Sequence, residues 1–235
     1  MSNTIVITGV GKRLGCELSK ALLKDGYQIV GTYRTEYPSL ADLKELGAEL
    51  YQVDFYQQNQ VDDFISQLSN KYNAIRAIVH NASDWSADDS AHHNIAEIMQ
   101  RMMTVHASVP YQMNLALQDK LRASGHADVI HVSDYVAEKG SKKHIAYAAS
   151  KAAMNNMTLS FASLLAPEVK VNTISPALLK FNPHDGDAYK EKAMAKALLP
   201  REAGFDEVIE GIKMLLNSGF MTGRNLQFDG GRHLR

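Results

Sequence analysis

Seven short runs of apolar, mostly β-branched residues recur along the chain, at 5–8, 28–33, 49–53, 77–80, 128–132, 169–174 and 225–228. Between them lie longer amphipathic stretches. Residues 14–24, 40–46, 60–72, 147–165 and 206–217 read as helices, with Val61, Phe64, Ile65 and Leu68 on one face of the third strand's successor. Residues 95–121 hold one or two helices, broken or bent near Pro110. Strands alternating with helices require right-handed crossovers, which place helices on both faces of a parallel sheet. The expected fold class is therefore α/β, a Rossmann-type, doubly wound, parallel seven-stranded sheet. No repeat or linker interrupts residues 1–235, so one domain is expected, with halves at roughly 1–130 and 131–235. The irregular stretch 177–200 reads as a lid, with a partial helix over 189–199.

Charge and cysteine usage exclude several classes. Lys+Arg 25 against Asp+Glu 26 leaves a net charge of −1 and no general basic field for nucleic acid or an anionic membrane. Cys16 is the one cysteine, which excludes an intrachain disulfide and a cysteine metal cluster. No apolar run approaches a membrane span, and the N-terminus enters a strand without a charged leader or cleavage site. A soluble cytoplasmic protein is expected, so the triplets Asn81-Ala82-Ser83 and Asn156-Met157-Thr158 are not read as glycosylation sites. The nine histidines form no His-Glu-x-x-His, and His92-His93 are neighbours pointing to different faces; no metal is expected.

The first run leads into Thr8-Gly9-Val10-Gly11-Lys12-Arg13-Leu14-Gly15 and then a helix. Strand, glycine turn and helix N-terminus form a pyrophosphate site, because glycines admit close backbone approach and the helix dipole favours negative charge. The second strand closes in Tyr33-Arg34-Thr35-Glu36 with no acid on the strand itself. An acid there accepts from the ribose 2′-hydroxyl of NAD, whereas an arginine pairs with the 2′-phosphate of NADP. Arg34 lies nearer the strand end than Glu36, which favours NADP(H). Tyr147-Ala148-Ala149-Ser150-Lys151 then sets a tyrosine and a lysine four residues apart on one helix face. A neighbouring ammonium favours the ionised form of the phenol, so the pair is expected to pass protons.

These elements resemble the short-chain dehydrogenase/reductase superfamily over residues 4–235. Thr8, Gly9 and Gly15 match its Thr-Gly-x-x-x-Gly-x-Gly turn, with Arg13 in place of the middle glycine. His80-Asn81-Ala82-Ser83 resembles its Asn-Asn-Ala-Gly segment, Asn172 to Pro176 its Asn-x-x-x-Pro, and the end from Thr222-Gly223 to Asp229-Gly230-Gly231 its closing pattern. The superfamily places a serine thirteen residues before the tyrosine; here that position is Asp134, with Ser133 beside it. Adjacent residues of an extended segment face opposite ways, so one of them faces Tyr147. The Lys12-Arg13 pair, Ser83 and Asp134 are features of the pteridine reductases within the superfamily. The Gly-Gly-Arg-His-Leu-Arg ending is like that of the bacterial dihydromonapterin reductases, which also reduce dihydrofolate.

The resemblance implies NADPH delivering hydride to the C=N bond of a 7,8-dihydropterin, such as dihydromonapterin, dihydrofolate or dihydrobiopterin. Asp134, Tyr147 and Lys151 are the implied catalytic residues. Gly9, Lys12, Arg13, Leu14, Gly15, Tyr33, Arg34, Thr35, Asp54, Asn81, Ala82, Ser83, Tyr147, Lys151 and Pro176 would hold the cofactor. Arg13, Ser83, Asp134 and Tyr147 would line the pterin pocket. Trp85 either lies along the flat ring or packs on its own domain. An ionised carboxylate at 134 cannot donate to a ketone oxygen, which argues against an oxoacyl-type carbonyl reductase, the enzymatic alternative. A non-catalytic NADP sensor would lack Tyr147 or Lys151. His106 stands where the superfamily has an asparagine that serves a water relay, so it either serves a proton path or packs as a helix histidine. A homotetramer is implied, in which Arg235, or failing that Arg232, closes a neighbour's pterin pocket.

Overall fold

The computed structural model describes residues 2–89 and 94–235. Seven strands, β1 (Thr4–Thr8), β2 (Gln28–Tyr33), β3 (Glu49–Gln52), β4 (Ala77–His80), β5 (Ala127–Val132), β6 (Val169–Pro176) and β7 (Asn225–Phe228), pair in parallel in the order β3-β2-β1-β4-β5-β6-β7. The helices are α1 (Arg13–Lys24), α2 (Ser39–Glu45), α3 (Gln58–Lys71), α4 (Ile95–Met103), α5 (Val109–Ala116), α6 (Gln118–Arg122), α7 (Val136–Lys139), α8 (Ile145–Leu165), α9 (Asp187–Met194) and α10 (Asp206–Asn217). This is the expected doubly wound sheet. Residues of one strand feed two cores alternately, as a period of two demands. Ile5 and Ile7 pack with Leu18, Leu22, Ile212 and Leu215 of α1 and α10, while Val6 packs with Phe64, Met113, Phe161 and Leu165 of α3, α5 and α8.

The strand order reverses at β1, between β2 and β4. That switch point opens a crevice at the carboxyl ends of the strands, where open α/β sheets bind ligands. The helix over 95–121 is interrupted close to Pro110, as expected. One turn of π-helix at Thr104–Ser108 separates α4 from α5, and a second break falls at Leu117. Pro110 follows that π turn directly, as the second residue of α5, and the backbone stays right-handed through the junction. The lid helix α9 ends at Met194, earlier than the expected 199. The chain also forms α7 and a 3₁₀ turn at Arg232–Leu234, both too short to carry a periodic signal.

Two histidines sit in the middle of the sheet. His80 and His131 are register partners on β4 and β5, their rings stacked at 5.2 Å and bridged by Asn114, with His80 Nε2 2.8 Å from Asn114 Oδ1. Burial pushes His80 down to about 4 against the opposing Asn114 bond, and burial, His80 and Lys151 push His131 well below its ordinary value. Both rings are thus neutral in the fold and free to protonate when unfolded. Their stabilising contribution is present above an ordinary histidine pKa of about 6.5 and is lost as pH falls from there to about 4. His80 alone accounts for about 2 kcal/mol lost by about pH 5, or roughly 4–8 °C in Tm for a chain of this size. Thermal unfolding followed by circular dichroism at about pH 7.5 and about pH 5 checks this; an unchanged Tm contradicts it.

Candidate active site

The crevice has a volume of about 470 Å³, and its floor is the glycine turn between β1 and α1. Gly9 has φ +76°, and a Cβ there would lie 2.8 Å from Ala82 Cα; one at Gly15 would lie 2.2 Å from the Gly9 carbonyl oxygen. Both positions therefore exclude any side chain. Asn81 braces the turn: its amide donates to the Thr8 and Gly9 carbonyls at 3.0 Å each, while the Thr8 hydroxyl accepts from the Asn81 and Ala82 N–H groups. Lys12, Leu14 and Arg13 line the same wall. Arg13 adopts φ +54°, a left-handed backbone that costs a non-glycine residue about 1–2 kcal/mol. Its guanidinium reaches the expected lid, donating to Asn182 Oδ1 at 2.9 Å and to the Lys180 carbonyl at 2.6 Å.

At the other end of the crevice Tyr33, Arg34, Thr35 and Asp54 line the wall, and Glu36 does not. Arg34 pairs with Asp84 across the opening at 3.2 Å. The same Asp84 oxygen accepts from the Tyr56 hydroxyl at 2.7 Å and from Arg101 at 3.1 Å. Burial raises the Asp84 carboxyl, but Tyr56, the Trp85 N–H and Arg34 outweigh it and hold the pKa below the usual carboxylate range. An arginine, a glycine turn and a helix start along one crevice are the donor set a phosphorylated dinucleotide requires.

Between these ends stands the tyrosine. The Tyr147 hydroxyl donates to Asp134 Oδ2 at 3.0 Å, and Asp134 Oδ1 accepts from the Val136 N–H at 3.0 Å. Ser133, rather than Asp134, lines the crevice, but its hydroxyl donates to the Lys151 carbonyl at 3.3 Å. Lys151 is fully buried and donates from Nζ to the Val132 carbonyl at 2.9 Å; burial pushes it down to about 8, opposed by Asp134. The expectation that the ammonium would favour an ionised phenol is not met. Burial and the Asp134 carboxylate hold Tyr147 well above its ordinary value, so it is a neutral donor. Burial also raises Asp134, against the Val136 N–H and Lys151. The two groups form a hydrogen-bonded pair with the proton on Tyr147.

The family model described as enoyl-(acyl carrier protein) reductase matches residues 9–233. The dihydromonapterin reductase of Escherichia coli (strain K12) is 46% identical over 233 residues, covering 98% of this chain and 97% of its own. The dihydromonapterin reductase of Shigella boydii serotype 4 (strain Sb227) is similar to the same extent. Among solved structures, an alternative dihydrofolate reductase 1 from Brucella suis in complex with NADP covers all of this chain and 97% of its own, with a TM-score of 0.88 at 23% identity. The chain belongs to the short-chain dehydrogenase/reductase family. It is an oxidoreductase of the kind that works with a nicotinamide cofactor.

Within this short-chain reductase, three expected contributors do not line the crevice. Asp134 stands behind Tyr147 and reaches the site through that hydroxyl. Pro176 ends β6, and its carbonyl accepts the Tyr135 N–H. Trp85 lies against the His144 ring at 4.4 Å, and its backbone N–H donates to the Asp84 carboxylate. Arg235 donates to the Ala195 carbonyl of its own chain. Arg232 is buried, with its guanidinium over the Tyr135 ring at 5.3 Å. His92 and His93 lie outside the described residues. Among the described residues no cluster of three metal-ligating side chains exists, and no helix is long and apolar enough to cross a membrane.

Several residues of the site carried no sequence signal. Asp84, Tyr56 and Arg101 meet from three separate segments. Asp88 accepts the Ile145 N–H at 2.6 Å and the Ala146 N–H at 3.2 Å, capping the helix of Tyr147 from 57 residues away. A helix cap is normally sought beside the helix, which is why the spacing conceals this one.

Proposed function

We propose that the protein reduces a 7,8-dihydropterin, dihydromonapterin foremost, to the tetrahydropterin with NADPH. When bound, NADPH supplies the hydride, which goes to the carbon of the C=N bond and leaves NADP⁺. The observation that carries the reading is the 3.0 Å bond from Tyr147 to Asp134. A ketone needs donors where negative charge develops on its oxygen. Here the residue thirteen before the tyrosine is an acceptor, and the neighbouring Ser133 hydroxyl is engaged with a main-chain carbonyl. Tyr147 and Asp134 instead hold a proton for the ring nitrogen that becomes N–H. Full-length identity of 46% to dihydromonapterin reductases supports the same substrate class.

The glycine turn, Lys12 and the start of α1 bind the pyrophosphate, Arg34 the 2′-phosphate, and Asp54 the adenosine end. Lys151 binds the nicotinamide ribose, Ser83 and Arg13 the pterin. The enzyme acts in the cytoplasm as a homotetramer; exposed Ile95 and Met99 on α4 and Leu159 and Leu164 on α8 support burial against another copy.

A substrate panel tests the reading: dihydromonapterin, dihydrobiopterin, dihydrofolate and several ketones, with NADPH oxidation as the readout. Turnover of ketones alone overturns it. Cofactor choice gives a second expected result. NADPH is favoured over NADH at least about tenfold in kcat/KM, and Arg34→Ala removes most of that preference, because a charge-assisted bond contributes about 1.5–3 kcal/mol. Equal use of both cofactors by the unmodified protein refutes the role of Arg34.

A further inference from the structure

His106 sits in the single π-helical turn between α4 and α5 and is fully buried. Such turns recur at functional sites. Both ring nitrogens are engaged: Nε2 lies 2.8 Å from Ser83 Oγ and Nδ1 lies 2.8 Å from Ser150 Oγ. The ring edge faces the Tyr147 ring at 5.4 Å. Burial and the nearby Lys151 ammonium disfavour the imidazolium, so one nitrogen carries a proton and the other a lone pair.

The network decides which nitrogen carries the proton. Ser150 Oγ lies 2.7 Å from the Tyr147 carbonyl, which only accepts, so the Ser150 proton points there. Ser150 Oγ is then an acceptor toward His106, and Nδ1 carries the proton. Nε2 is left with the lone pair; Ser83 Oγ lies 2.8 Å from it against 3.4 Å from the Asp84 carbonyl, so the Ser83 proton points to Nε2. Ser83 borders the crevice, and with its proton donated to Nε2 it presents lone pairs there.

We infer that His106 is a positioning residue that fixes Ser83 as a hydrogen-bond acceptor and so selects substrates presenting an N–H beside Tyr147. Ser83 borders the crevice, while Asp134 behind it already accepts the Tyr147 hydroxyl and the Val136 N–H. An amino- or amide-bearing heterocycle satisfies Ser83; a simple ketone leaves its lone pairs unpaired, at the cost of burying an unsatisfied polar group. The selection of N–H donors rests on the pterin reading above, whereas the tautomer rests on the hydrogen bonds alone.

The tautomer is measured on the NADP-bound protein labelled with ¹⁵N-histidine, by long-range proton–nitrogen correlation, with His106→Asn to assign the signals. A neutral ring protonated at Nδ1 between about pH 6 and pH 8 is expected. An Nε2–H ring or an imidazolium overturns the inference, whichever substrate the enzyme takes. Kinetics form the second arm. Ser83→Ala and His106→Asn each lower kcat/KM for dihydromonapterin roughly tenfold, the scale of one neutral hydrogen bond, mainly through KM. The double variant falls no further than the worse single one, because the two residues act as a unit. Fully additive losses, or a changed NADPH Kd in His106→Asn, assign His106 a merely structural role and overturn the inference. Absence of pterin turnover in the unmodified protein refutes the pterin reading and leaves the tautomer measurement to decide.

Discussion

Asp134→Ala lowers kcat for dihydromonapterin by about two orders of magnitude, the scale of one acid–base contribution, while Ser133→Ala changes it less than about threefold, below the value of one neutral hydrogen bond. The two residues are adjacent in sequence, so the contrast tests register as well as chemistry. Asp134 meets the Tyr147 hydroxyl at 3.0 Å, whereas Ser133 gives its proton to the Lys151 carbonyl. Removing Asp134 deprives Tyr147 of its proton partner. Single-turnover oxidation of NADPH, followed by absorbance, isolates the chemical step from product release. The opposite ranking of the two variants would return the site to carbonyl chemistry, with Ser133 as the donor to a substrate oxygen.

Asp128→Ala destabilises the fold by about 3–5 kcal/mol, because two buried cations lose their shared counter-charge. Asp128 is fully buried at the end of the sheet opposite the crevice. Its Oδ2 accepts from Arg76 at 2.5 Å and its Oδ1 from Lys170. The same cations also hold the last carbonyls of α10, Arg76 that of Leu216 at 2.6 Å and Lys170 that of Leu215 at 3.1 Å. One carboxylate therefore ties β4, β5, β6 and α10 together. Denaturant unfolding measures the loss, with Asp42→Ala as the comparison. Asp42 meets Lys20 at 3.5 Å on the surface, and its removal costs less than about 1 kcal/mol. Equal losses for the two variants would show that the buried network contributes nothing beyond a surface pair.

The sequence by itself determined the sheet. Apolar runs at β spacing separated by amphipathic stretches admit one arrangement, and the glycine turn after β1 marks the crevice, because Gly9 and Gly15 have no room for a side chain. Tyr147 and Lys151 were legible for the same kind of reason: a four-residue spacing survives in any helix. Pro110 marked the interruption of the helix over 95–121, because a proline removes a donor and crowds the turn before it. The tertiary structure decided everything that depends on direction. It turned Asp134 toward Tyr147, Trp85 away from the crevice, and the Arg13 guanidinium onto the lid backbone. It also assembled Asp84 with Tyr56, Arg34 and Arg101, and set Asp88 at the start of α8. The neutral state of Tyr147 belongs to the same group. Spacing brings a lysine near a phenol, but burial and the carboxylate opposite it set the proton's place. Periodicity is local and is written along the chain, whereas hydrogen-bond polarity and desolvation depend on which distant segments meet, which only the folded chain supplies.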